Sequence, residues 1–295
     1  MEKVCLVLEG GGNRGVYTSG VLDAFIDNDI DIKNIYGVSA GALNAMSYLS
    51  KQKGRSLVVS KQSISSKECV DYKRLFLGKS VVDLDYLFDS SNSGLDELNM
   101  EEFNKRGEFI VVATNVVTGA PVYKKIEDYA TDWIYIKASA SLPVLSKIVS
   151  IDGLKLLDGG ISDSIPVLKA INDGYTKVIV VMTRDKDYVC KPYKFMKAYK
   201  TKYIKYPNFI KTMENRADKY NVTRDLIETW TSEGKVLPIY PSEPLVISRL
   251  EKDSSKIDYV YNLGYQDGLK MLSEIKVFIG GEINEQEETR KKRKI

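Results

Sequence analysis

Twice near its start the chain passes from a short apolar run through glycines into a helical pattern, and this narrows the fold more than any bulk property. The first passage is "KVCLVLEGGG", followed by "VYTSGVLDAFIDND" with Val16, Val21, Leu22 and Phe25 near helical spacing. The second is "IKNIYGVSAG", followed by "ALNAMSYLSKQ". Strand–helix–strand–helix in this order predicts parallel strands covered by helices. "GEFIVVATNVVTGAPVYKK" reads as two strands around a turn at Thr118-Gly119, and "LKLLDGG" and "TKVIVVMT" read as further strands. Helices are expected over 127–140, in "SIPVLKAIND", and near 209–232 and 256–276. Residues 55–105 read as polar and irregular around the apolar island "VVDLDYLFD". At 295 residues the chain suffices for one large α/β domain with appendages. The expected division is a core over 1–185, a helical and basic extension over 186–280 packed on it, and a charged, fraying tail over 281–295.

The loop between the first strand and helix, "GGGNRG", satisfies G-x-G-x-x-G through Gly10, Gly12 and Gly15. A dinucleotide site would also need a carboxylate about 20 residues on, at the end of the second strand, to hold the ribose. That strand ends in Gly37-Val38-Ser39 and offers none. The same loop suits an acyl hydrolase, because unobstructed glycine amides and a helix N-terminus can hold an oxyanion. Taken alone, the loop leaves hydrolase, nucleotide site and plain turn open.

"GVSAG" (Gly37 to Gly41) sharpens the choice. Strand, Gly-x-Ser-x-Gly turn and helix make the elbow that projects a nucleophilic serine, here Ser39, above a sheet. The alternative is a serine capping an ordinary helix. The usual partner of such a serine is an imidazole, and the chain contains no histidine. Asp, Glu, Lys or Tyr must then take the proton. Asp158, at the end of the apolar run in "LLDGG" and followed by Gly159 and Gly160, lies at a strand end where α/β sheets collect active-site groups. It could equally be a turn aspartate. Asp163 is the next carboxylate, past the turn.

"GGGNRG", "GVSAG" and "LLDGG", in this order and spacing, resemble the three signature blocks of the patatin-like phospholipases over roughly residues 4–182. The resemblance implies a three-layer α/β/α fold with a mostly parallel central sheet and a Ser–Asp dyad. Ser39 would be the nucleophile and Asp158 the general base. The oxyanion hole would come from Gly10, Gly11, Gly12, Arg14 and Gly15, chiefly through the Gly11 and Gly12 amides, with Gly37, Gly41, Gly159 and Gly160 shaping the elbow and the dyad turn. "ASASLPVL" (Ala138 to Leu145) is similar to the family's serine-and-proline segment. The third block reads Asp-Gly-Gly where many relatives have Asp-Gly-Ala. The implied reaction is hydrolysis of acyl esters in phospholipids or related lipids through an acyl-serine intermediate. The rival class is a non-catalytic module whose glycine loop binds a nucleotide or anionic headgroup.

Composition excludes more than it assigns. A net charge of +3 gives no reason to expect nucleic acid as a partner. Three cysteines, odd in number and far apart, suggest no disulfide framework, and without histidine no zinc site, so no metal or cofactor is expected. The run "VCLVL" is too short for a signal-peptide core, and no apolar stretch approaches the length needed to cross a bilayer. A cytoplasmic protein is the expectation. Residues 188–211 interleave seven lysines with tyrosines and carry no acidic residue. This stretch reads either as a peripheral contact with anionic membrane or as a solvated lysine face.

Overall fold

Alternation along β1 (Val4–Leu8) divides the interior into two cores. Leu6 and Leu8 enter one hydrophobic cluster and Cys5 and Val7 the other, because residues two apart on a strand share a face. β7 (Lys177–Val181) repeats the division, with Ile179 and Val181 on the first side and Val178 and Val180 on the second. Strands apolar on both faces must be covered on both. The structure, a computed structural model, describes residues 3–65, 81, 83–85, 97–248 and 251–280.

The first core is covered by α1 (Gly15–Asp27), α2 (Ala40–Leu49), α3 (Arg55–Ser65), the short α4 (Met100–Phe103), α5 (Tyr129–Ser139) and, beyond the others in sequence, α9 (Ser254–Phe278). The second is covered by α6 (Val167–Asn172) and α8 (Pro207–Ser232), the latter reached through the short α7 (Met196–Lys202). The result is the three-layer α/β/α arrangement expected from the sequence.

The remaining strands are β2 (Ile35–Val38), β3 (Phe109–Asn115), β4 (Pro121–Lys125), β5 (Val149–Ile151), β6 (Leu154–Asp158) and β8 (Val236–Ile239). They form one sheet in the order β5-β6-β3-β2-β1-β7-β8, with β4 also paired to β3. From β3 through β8 every neighbouring pair is parallel, while β4, β5 and β6 form antiparallel pairs.

The short elements α4 and β5 lie where the sequence reading expected neither helix nor strand, and two longer segments differ as well. Residues 55–65 form a helix, not irregular chain. Serines and β-branched valines give "RSLVVSKQSIS" a weak intrinsic preference, and packing against α1, α2 and α9 overrides it. The segment 186–280, read as helical, also contributes β8. Pro238 in "VLPI" argues against a central strand, and β8 is an edge strand, where proline is tolerated. The tail 281–295 and most of the island 81–89 lie outside the described residues.

Candidate active site

The register of β3 brings the two distant sequence blocks together. β4 occupies one edge of β3 from Ile110 to Thr114. On the opposite edge β2 pairs as far as Val38↔Val112, and the antiparallel β6 begins its pairing at Asp158↔Ala113. The C-terminal ends of β2 and β6 therefore meet head to head. Ser39 follows one end, and Asp158 is the other.

Ser39 has φ 53° and ψ −121°, a left-handed backbone that costs a residue with a Cβ about 1–3 kcal/mol. Its amide donates to Ser139 Oγ (2.8 Å), which donates onward to Val112 O (2.5 Å), so α5 and β3 hold the turn in place. Gly41, in the first turn of α2, lets the helix lie flush against β1, where a Cβ would stand 2.4 Å from Leu8 O. Gly37 lies beneath Ala42 in the same elbow.

Asp158 is 4% exposed and Ser39 5%. Ser39 Oγ donates to Asp158 Oδ2 at 2.6 Å, and Gly160 N–H donates to Asp158 Oδ1 at 2.8 Å. The Asp158 backbone is fixed as well. Its amide donates to Ser141 O (2.8 Å), and its carbonyl accepts from Thr114 Oγ1 (2.8 Å). At Gly159 a Cβ would stand 2.0 Å from Val112 O, so only glycine lets the chain turn this close to β3.

The glycine loop lies across the serine, with the Cβ position of Gly10 3.2 Å from Ser39 Cβ. Within the loop, Gly10 N–H donates to Ser164 O (3.5 Å) and Arg14 N–H to Gly11 O (3.4 Å). Gly10, Gly11, Gly12 and Arg14 line a cavity of about 180 Å³ together with Ser39, Asp158 and Gly160. Gly15 is not in this wall; it opens α1 and packs on Ala40. Leu142 to Leu145 supply apolar wall. Among the described residues, no group of three or more His, Cys, Asp or Glu side chains gathers to hold a metal ion.

Two contributors were given no role by sequence reasoning. Ser139 lies within the segment "ASASLPVL", but nothing there separates it from Ser141 until the fold places it under Ser39. Arg216, from α8, lines the cavity and donates Nε–H to Gly160 O at 2.5 Å. On sequence it is one cation in a polar helix.

A serine on a positive-φ strand-to-helix turn above the sheet places the molecule in the class of three-layer α/β/α proteins that carry an elbow serine. Comparison with known proteins narrows the class: the chain belongs to the patatin-like phospholipase family, which it matches over residues 6–171, and this membership supports lipid hydrolase activity. Residues 206–280 match a domain of unknown function (DUF6363). The uncharacterized protein YjjU of Escherichia coli (strain K12) is 29% identical over 282 residues, covering 92% of this chain and 78% of that protein. Lysophospholipase NTE1 of Scheffersomyces stipitis is 30% identical over 196 residues, or 61% of this chain but only 12% of the much longer relative. Among solved structures, VipD from Legionella pneumophila aligns with a TM-score of 0.48 at 12% identity, covering 93% of this chain and 67% of that one.

Asp163, the second carboxylate of the sequence reading, goes elsewhere. Its Oδ2 accepts from Tyr123 OH (2.7 Å) beyond the turn at Gly159–Ile161. Burial raises its carboxyl above the usual range, offset in part by the Tyr123 hydroxyl and the Lys219 charge. A carboxyl with a raised folded pKa contributes stability that is present at low pH and lost as pH rises through that pKa. Asp163→Asn, which keeps an acceptor for Tyr123, is therefore expected to raise the urea midpoint at pH 7. The gain should shrink as pH falls through the folded pKa toward the ordinary 3.8. Midpoints measured across that range that shift by a constant amount would contradict this.

Proposed function

We propose that the chain is a serine acyl hydrolase of lipid esters in which Ser39 attacks and Asp158 acts as general base. The observation carrying this reading is the 2.6 Å contact between Ser39 Oγ and Asp158 Oδ2, in a buried site of a chain without histidine. Asp158 Oδ2 takes the Ser39 proton as Oγ bonds to the ester carbonyl carbon. The carbonyl oxygen becomes an oxyanion held by the Gly11 and Gly12 amides, a type of donor whose loss costs about 10²–10³ in rate. The C–O bond to the alcohol then breaks, the alcohol leaves with the proton from Asp158, and the acyl group stays on Ser39. Asp158 next takes a proton from a water as that water bonds to the acyl carbon; the bond from the acyl carbon to Oγ then breaks, Asp158 returns the proton to Ser39 Oγ, and the fatty acid leaves. The Gly160 amide on Oδ1 orients the carboxylate so that Oδ2 faces the serine throughout.

Asn is nearly isosteric with Asp but cannot accept the proton. Ser39→Ala and Asp158→Asn are each expected to lower kcat for a chromogenic acyl ester by roughly 10⁴- to 10⁶-fold, the range found when a member of a serine catalytic unit is removed. Near-normal turnover in either folded variant would sink the assignment.

The lipid is expected to be met at a membrane surface. Among the described residues no helix is long and apolar enough to cross a membrane. Between 188 and 211, Val189 (62%), Phe195 (75%) and Ile204 (74%) are exposed among exposed lysines, beside Tyr193 and Tyr199 of the cavity wall. Each lysine near an anionic surface contributes about 1 kcal/mol of attraction. Flotation with phosphatidylglycerol vesicles should capture the protein, and the paired change Lys197→Glu with Lys205→Glu should abolish capture. Capture that ignores those changes and added salt would refute this docking face.

A further inference from the structure

Helix α8 delivers a cation to the boundary between two cavities. Arg216 lines the 180 Å³ cavity of Ser39 and Asp158, and it also lines an open groove of about 780 Å³ with Tyr193, Lys191 and Lys194. Three of its five N–H groups are used: Nε to Gly160 O (2.5 Å), Nη2 to Ser164 Oγ (3.2 Å) and Nη1 to Cys190 Sγ (3.4 Å). Tyr193 and Tyr220 flank the guanidinium, with its carbon 5.6 and 5.8 Å from their ring centroids. These contacts fix its orientation. These hydrogen bonds go to a carbonyl, a hydroxyl and a thiol, and the Asp158 carboxylate acts on the guanidinium through its charge. Two of its N–H groups lie outside these three hydrogen bonds, and a planar fork that still has donors to offer suits a phosphate oxyanion.

We propose that Arg216, with Lys191 and Lys194, receives the phosphate of a phospholipid whose acyl ester lies at Ser39, and so sets the preference for phosphate-bearing over phosphate-free glycerides. The proposal rests on the hydrolase reading above. The groove also carries Asp185 and Asp187, but its three cations outnumber these two carboxylates. The cavity holds the acyl ester next to Ser39 while the groove stays open to solvent, which fits a lipid divided between an apolar chain and a charged headgroup.

The test compares 1-oleoyl-lysophosphatidylglycerol with 1-monooleoylglycerol in the same mixed micelles. The two share chain and ester, release the same oleate, and differ in the phosphodiester. Damage to the Gly160 turn, or to any contact with the fatty acid, lowers both rates alike and cancels in the ratio of their kcat/KM values. For Arg216→Met that ratio is expected to fall at least about tenfold, equivalent to about 1.4 kcal/mol, through a higher KM for the phosphate lipid. Arg216→Lys, which keeps the charge and loses the fork, should recover part of it. A ratio unchanged in both variants would overturn the proposal and leave Arg216 a brace for the Gly160 turn. An unchanged ratio with inorganic phosphate altering monooleoylglycerol hydrolysis in the unmodified protein alone would assign the site to a free anion instead. If the unmodified protein cleaved neither lipid nor a chromogenic ester, the hydrolase reading would fall and this proposal with it.

Discussion

The site depends on one meeting of strand ends. β2 and the antiparallel β6 abut on a single edge of β3, between Val112 and Ala113, and the hydroxyl of Ser39 thereby comes to rest on the carboxylate of Asp158. In a histidine triad an imidazole spans the gap between nucleophile and acid. Here no gap remains to span, so the carboxylate must face the serine directly and both must be held without slack. Ser139 holds the Ser39 amide, and Ser141, Thr114 and Gly160 hold Asp158 at its amide, carbonyl and carboxylate. The strained φ of Ser39 is maintained by these contacts and by the close approach of α2 to β1 at Gly41.

The C-terminal part of the chain takes part in this arrangement. Three residues of α8 reach the core at positions i, i+3 and i+4, the spacing that shares one helix face. Arg216 bonds Gly160 O after the aspartate, and Lys219 bonds Ser162 O at 2.8 Å. Tyr220 OH donates to Glu9 Oε1 at 2.7 Å, just ahead of the glycine loop. Glu9 is buried, and its other oxygen accepts from Thr183 N–H at 2.5 Å, tying the ends of β1 and β7 together. The segment matching the family over 6–171 thus has its glycine loop and aspartate turn braced from 206–280.

Much of the fold was legible because its signals are local. Apolar runs ending in glycine marked β1, β2 and β6, and the turn at Thr118-Gly119 separated β3 from β4. The pairing of Ser39 with Asp158 was legible only through motif order, since the contact that makes it is a register 119 residues apart in sequence. What stayed hidden depends on tertiary placement. β8 was masked by Pro238, which an edge strand tolerates, and α3 by a composition that packing overrides. Ser139 stood in a segment marked by resemblance but without a role, and Arg216 in a helix whose pattern reported helix alone; which polar residues turn toward the site is decided by how α5 and α8 dock on the sheet.

The claim at the centre is that Asp158 makes Ser39 a nucleophile without any imidazole. Covalent labelling by a fluorophosphonate reads that activation before any lipid substrate is chosen, with the modified residue located by peptide mass spectrometry. The expected result is a single adduct on Ser39 in the unmodified protein, with a labelling rate that collapses in folded Asp158→Asn. An adduct on another residue, or labelling of Ser39 at the same rate without the Asp158 carboxylate, would contradict it.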